Sequence, residues 1–205
     1  QNGGLVSYRA EEDGSQTPYE LNCSYIDALT SPKEDQYIRV KRMLVTQAAV
    51  LSMPGVPGVY FHSLVGSQNY HDGVKHSGIN RTINREKYNI DWLEKELSSQ
   101  GSLAKTMFDS YKRLISIRIN EEAFNPFGNF EFLDLDDRLF IIDQNCCENK
   151  NRIIAIHNCS NEELTINLPQ NISFPLCDML SSKCTINENE IKLEPYQIMW
   201  LKGKV

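Results

Sequence analysis

The spacing of apolar positions changes character along this chain near residue 126. From Asp35 to Leu51, Tyr37, Val40, Leu44, Ala48 and Leu51 recur at helical intervals, while Lys41 and Arg42 fall off that stripe. This predicts an amphipathic helix packed along one face. Pro54 and Pro57 then forbid its continuation. The run Val56 to Phe61 is short, nearly all apolar and rich in β-branched and aromatic residues, which predicts a buried parallel strand, covered on both faces and therefore not alternating. Between Leu64 and Asn89 no period of 2 or 3.6 survives around Gly66, Gly73 and Gly78, so the segment reads as an irregular loop. Helical spacing resumes over Asp91 to Ser99 and from Ser102 to about Ile119, where Met107, Tyr111, Leu114 and Arg118 share a side and Ser102 is a plausible N-cap. Helix, buried strand, long loop, helix is the grammar of a parallel α/β fold.

Beyond Asn125-Pro126-Phe127-Gly128 the runs "RLFIIDQ", "NRIIAIHN", "EELTINL", "NISFPL", "NEIKL" and "YQIMWLKG" are short and separated by Asn, Asp, Pro and Glu clusters. That spacing predicts an antiparallel sandwich. The reading is therefore two regions, 1–124 in α/β style and 125–205 all-β, the second marginal alone and so packed on its neighbour.

Composition adds limits. The 205 residues are 40% hydrophobic and 23% charged, enough for a real core. Residues 1–120 carry 14 Lys and Arg against 13 Asp and Glu, and residues 121–205 carry 7 against 14, so the net charge of −6 lies in the back region. An acidic back and a neutral front argue against a nucleic-acid partner. With no long apolar run and no signal pattern, neither membrane nor export is indicated, and a cytoplasmic location is expected. The six cysteines include no C-x-x-C pair and read as free thiols. Four N-x-[ST] triplets mean nothing without secretion. The start at Gln1, without methionine, suggests a processed or truncated chain.

Candidate chemistry is sparse. His71 and His76 lack metal-helix spacing, so no metal is expected. His62 ends the predicted strand, where it is a pocket wall or a hydrogen-bonded core residue. Asp134, Asp136 and Asp137 read as a solvated hairpin tip, and Glu11, Glu12 and Asp13 as another exposed turn. "TPYELNCSY", Thr17 to Tyr25, mixes tyrosines with planar polar groups; it could line a sugar site or simply lead into a helix. In "SGINRTINREKYN" Arg81 and Arg85 stand four apart. They could form a phosphate clamp, a solvated face, or one site residue beside one structural residue.

Four phrases in order decide among these. "GGLVSYRAEEDGSQTPYELNCSYIDAL", "MPGVPGVYFHSLVGS", "GINRTINREKY" and "LEPYQIMWLKG" together resemble the C-terminal part of the sucrose-phosphorylase group in the α-amylase clan, glycoside hydrolase family 13. The resemblance implies the last strands and helices of a (β/α)8 TIM barrel followed by an antiparallel β-sandwich. It implies a retaining transfer of glucose from an α-glucoside to inorganic phosphate without a cofactor, using carboxylates on strand ends that precede this segment, so none of the catalytic groups is expected in it. It carries Arg81 over as a contact to the glucosyl unit, and Tyr19, Glu20 and Asn22 as a loop bordering the acceptor and phosphate side. His62 would stand on the active-site face. Glu20 stands where sucrose phosphorylases have glutamine, a form associated with relatives acting on other glucosides, such as glucosylglycerate phosphorylases. A barrel piece would also expose an unpaired strand edge, implying self-association or a covering partner. The rival reading is a stand-alone carbohydrate-binding or structural sandwich module using Tyr196 and Trp200.

Overall fold

The computed structural model describes residues 2–146, 151–172, 175–181 and 183–203. It divides into two compact units, one of Gln1–Met43 with Val59–Ser110, the other of Leu44–Gly58 with Tyr111–Val205.

The first unit opens with an antiparallel hairpin of β1 (Leu5–Ala10) and β2 (Gln16–Asn22). Glu11 to Ser15 form its exposed turn, closed by Glu11 N donating to Ser15 O at 2.9 Å. The predicted loop over Thr17 to Asn22 is thus a strand. No alternation announced it, because Val6, Tyr8, Tyr19 and Leu21 all stay exposed and neither face is a core face. Helix α1 (Tyr25–Leu29) follows, with Ser24 as N-cap.

Helix α2 (Gln36–Ser52) forms as expected, burying Val40, Met43, Ala48 and Leu51. Tyr37, at the start of the stripe, is 62% exposed and lies beneath the Lys41 ammonium at 5.0 Å. The run Val56 to Phe61 is not a strand. Its backbone is extended at Tyr60 (φ −82°, ψ 130°), but it joins no ladder among the described residues, and Val56 is 87% exposed. A parallel strand needs neighbours to take up its N–H and C=O groups; without them an apolar run is only an exposed extended segment. At Phe61 the chain turns into the short α3 (Phe61–Leu64).

The expected loop from Leu64 to Asn89 contains α4 (His71–Ser77) and a 3₁₀ turn over Asn80–Asn84. Neither is long enough to show a period in sequence. Gly73 makes their packing feasible: a Cβ there would lie 2.2 Å from the Tyr70 ring and 2.9 Å from the Thr82 methyl. Gly78 ends α4 in the left-handed region, φ 67°. Helices α5 (Ile90–Ser98) and α6 (Leu103–Ile119) match expectation, with Asn89 and Ser102 accepting from Trp92 N and Lys105 N at 3.1 Å each.

In the second unit, six strands form one antiparallel sheet in the order β3 (Asn129–Phe132), β4 (Leu139–Asn145), β5 (Arg152–Asn158), β10 (Ile198–Gly203), β7 (Leu176–Asp178), β8 (Lys183–Ile186). A second layer pairs β6 (Leu164–Asn167) with β9 (Glu190–Leu193). Between the layers lies a core of Ile141, Ile154, Ile156, Leu164, Ile166, Ile191, Leu193, Met199 and Leu201. The other face is covered as well. Trp200 packs edge-on against Phe124 at 4.9 Å, and Gln144 Nε2 donates to Ser52 O. Hence "RIIAIHN" is buried from Ile153 to Asn158 without alternation, although its strand is antiparallel. Arg118, in the apolar stripe of α6, is buried because its guanidinium donates to the carbonyls of Leu51, Met53 and Gly55, the last at 2.7 Å.

Asp134, Asp136 and Asp137 lie in the β3–β4 connection, as expected of a hairpin tip; the hydrogen bond from Arg138 lowers the Asp136 carboxyl to about 2. One expectation about cysteine needs correction. Cys23, Cys146 and Cys159 are free, but Cys177 is disulfide-bonded, and the register sets Cys184 directly opposite it across β7 and β8. Cys147 lies outside the described residues, as do Ser173 and Phe174 of the "NISFPL" run; β7 begins at Leu176. No helix among the described residues is long and apolar enough to cross a membrane.

Candidate functional site

Arg81 stands on the 3₁₀ turn and reaches across to β2. Its Nε donates to Glu20 Oε2 at 2.7 Å and its Nη2 to the Tyr19 hydroxyl at 3.1 Å. Consecutive strand residues ordinarily face opposite ways, so both touching one guanidinium calls for a local irregularity. A bulge provides it. Ser7 pairs with Glu20 and Tyr8 with Pro18, leaving Tyr19 as the extra residue on the bulged strand.

The turn itself is tied down from several sides. Tyr70 N donates to Ile83 O at 2.8 Å, Asn80 Nδ2 to Val6 O at 3.2 Å, and the Ser77 and Thr82 hydroxyls meet at 2.9 Å. Ile83 is fully buried beneath it. Behind these lies a buried charge network that the sequence reading missed. Asp27 accepts from Arg39 Nη2 at 2.9 Å and from Asn69 N at 2.7 Å, while Arg39 also donates to Thr30 Oγ1 and Gln68 Oε1. Asn69 Oδ1 in turn accepts from Ser24 N at 2.7 Å. The one clue in sequence was an aspartate inside a short apolar helix, "YIDAL".

Electrostatically, the hydrogen bond to Glu20 and its charge raise the Arg81 guanidinium above its ordinary value. Two of its five N–H groups are engaged, leaving three with no protein partner among the described residues. That remainder can grip a hydroxyl, carboxylate or phosphate. Arg85 caps the turn, is exposed, and forms no ion pair among the described residues.

The other expected residues lie apart from this trio. Asn22 is 2% exposed and donates to Ser7 Oγ at 2.7 Å and Glu20 O at 3.4 Å, so it shapes the bulge rather than facing solvent. The His62 Nε2 meets Glu86 O at 2.9 Å, and its ring lies between those of Tyr60 and Tyr88. No group of three or more His, Cys, Asp or Glu among the described residues is placed to hold a metal.

No protein-family model matches the chain. Three solved structures share its fold: AmyP in complex with maltose (TM-score 0.64, 18% identity, 86% of this chain and 36% of that one), Eubacterium rectale Amy13B (0.60, 18%, 90% and 37%), and trehalulose synthase MutB from Pseudomonas mesoacidophila MX-45 (0.59, 14%, 89% and 42%). These neighbours are α-amylase-clan enzymes of glycoside hydrolase family 13, and the chain shares their fold over a C-terminal part of their length, its antiparallel sheets matching a β-sandwich C-terminal domain.

Sequence relatives narrow the class. The glucosylglycerate phosphorylases of Escherichia coli K12 and Spirochaeta thermophila are each 33% identical, over 98% and 97% of this chain. A sucrose phosphorylase of Agrobacterium vitis is 32% identical over 62% of it. The chain is homologous to the C-terminal part of these phosphorylases. It spans 35% and 36% of the length of the first two relatives.

Proposed function

We propose that the chain is the C-terminal part of an enzyme that phosphorolyses an α-glucoside to glucose 1-phosphate. It supplies the substrate-site rim, while the catalytic carboxylates come from the rest of the protein. Residues 1–124 end the catalytic domain and 125–205 form the sandwich. Arg81 contacts the glucosyl unit, Tyr19 and Glu20 border the acceptor and phosphate side with Asn22 holding their bulge, and His62 walls the pocket. The preferred donor is glucosylglycerate rather than sucrose.

The observation that carries the reading is the likeness to glucosylglycerate phosphorylases over nearly the whole chain, against 62% for the sucrose enzyme. The Glu20–Arg81 pair supports it. A carboxylate held 2.7 Å from the guanidinium alters the charge of the rim where sucrose phosphorylases have a neutral amide. The unladdered run Val56 to Phe61 leaves an exposed apolar edge, which self-association or a covering chain would satisfy.

The test is glucose 1-phosphate release from glucosylglycerate and from sucrose in phosphate buffer. The chain is assayed alone and co-expressed with the N-terminal two-thirds of the E. coli glucosylglycerate phosphorylase. No release alone, and restored release favouring glucosylglycerate in the pair, is the expected result. Turnover by the chain alone would overturn the division of labour, and a preference for sucrose in the pair would overturn the donor assignment.

A further inference from the structure

A cavity in the first unit, of about 280 Å³, shares no lining residue with the Tyr19–Glu20–Arg81 trio, and His62 stands between the two. It is bounded by Ser67, Gln68, Glu86, Tyr88, Trp92 and Glu96 along with backbone of the 65–70 segment and the start of α6. Four rings follow one another at its side: Tyr60 stacks on His62 at 5.0 Å, His62 meets Tyr88 at 5.7 Å with its plane tilted by 33°, and Tyr88 stacks on Trp92 at 5.2 Å with only 11° between the planes. Trp92 ends the row and is 47% exposed, an unusual state for so large an apolar surface.

The polar groups are committed in a way that defines what fits. Gln68 Oε1 accepts from Arg39 Nη1 at 3.1 Å, which leaves its two amide hydrogens and one oxygen lone pair. Ser67 Oγ accepts from the Tyr88 hydroxyl at 2.7 Å, leaving the Ser67 hydroxyl hydrogen to donate. Opposite in kind are the Glu86 and Glu96 carboxylates, which only accept. No lysine, arginine or histidine lines the cavity. An anion would meet two carboxylates, and a cation would meet the Gln68 and Ser67 hydrogens beside them. A neutral ligand with several hydroxyls, each both donor and acceptor, matches both walls, and a flat apolar face on the same ligand matches the Trp92–Tyr88 stack. The volume, near the low end of ligand cavities, limits it to about one ring.

We propose that this cavity is a carbohydrate-binding site for a single neutral pyranose unit, distinct from the Tyr19–Glu20–Arg81 trio, with Trp92 and Tyr88 as the stacking platform and Gln68, Ser67, Glu86 and Glu96 as hydroxyl partners. It requires no phosphorolysis and so stands or falls independently of the proposed activity.

Isothermal titration of the 205-residue chain with methyl α-D-glucopyranoside tests it, alongside tryptophan fluorescence. The chain has two tryptophans, and Trp200 is fully buried, so a saturable spectral change reports Trp92. Saturable binding is expected, weakened about tenfold in Trp92→Ala, the scale of a lost aromatic contact. Glu96→Gln should weaken it several-fold. Circular dichroism and the Trp200 emission establish that each variant is folded. Absence of saturation, equal affinity in folded Trp92→Ala, or binding of choline without binding of the glucoside would each overturn the assignment.

Discussion

Arg81 and Arg85 look alike in sequence, yet the structure treats them differently. Glu20 and Tyr19 hold Arg81, while Arg85 stands exposed with no ion pair among the described residues. In the complemented enzyme, Arg81→Ala is expected to lower phosphorolysis at least tenfold more than Arg85→Ala; equal losses would restore a paired clamp. Because the Arg81–Glu20 pair is substantially exposed, Glu20→Gln should change unfolding free energy by less than about 1 kcal/mol and act on donor preference instead. Asp27 is the opposite case. Its carboxylate and the Arg39 guanidinium are both buried, so Asp27→Asn leaves a cation without its counter-ion and should destabilise by about 3–5 kcal/mol in denaturant titration. Residue types were legible in the sequence, but the Asp27–Arg39 contact and the Tyr19 bulge were not. Both are pairings made by the folded backbone.

Elements with an extended apolar signal were legible, helices α2, α5 and α6 through one apolar face and strands β4, β5 and β10 through continuous apolar runs. Short ones were not: a seven-residue helix or a hairpin with two exposed faces has too few buried positions to set a period. Strand β5 carries its own test. Its His157 is fully buried, with Nδ1 donating to Phe140 O at 2.8 Å, and burial lowers its titration from 6.5 to about 4. The folded chain thus binds this proton less readily than the unfolded chain does. Stability is full above pH 6.5, falls as pH drops toward 4, and levels below that, with a loss of about 3 kcal/mol from this group. Unfolding midpoints measured between pH 7 and 4 should show that slope, and His157→Gln should flatten it.

For the whole molecule, the sharpest consequence concerns the run Val56 to Phe61, apolar enough to be a buried strand yet exposed and unladdered. Sedimentation velocity is expected to show concentration-dependent association of the chain, reversed by the co-expressed N-terminal part. A monomer at all concentrations would refute the proposed edge. By itself the sequence determined the class of the fold, the change from α/β to all-β, the main helices and core strands, and kinship with the phosphorylase group. These follow from local periodicity and from ordered phrases, which survive reading in one dimension. Tertiary structure alone decided which arginine is paired and that Cys177 is disulfide-bonded. It alone built the aromatic stack beside a cavity, and it left the apolar run uncovered. Those outcomes depend on what neighbours the folded chain brings to each group, and hydrogen bonds, ion pairs and burial are properties of neighbours rather than of residues.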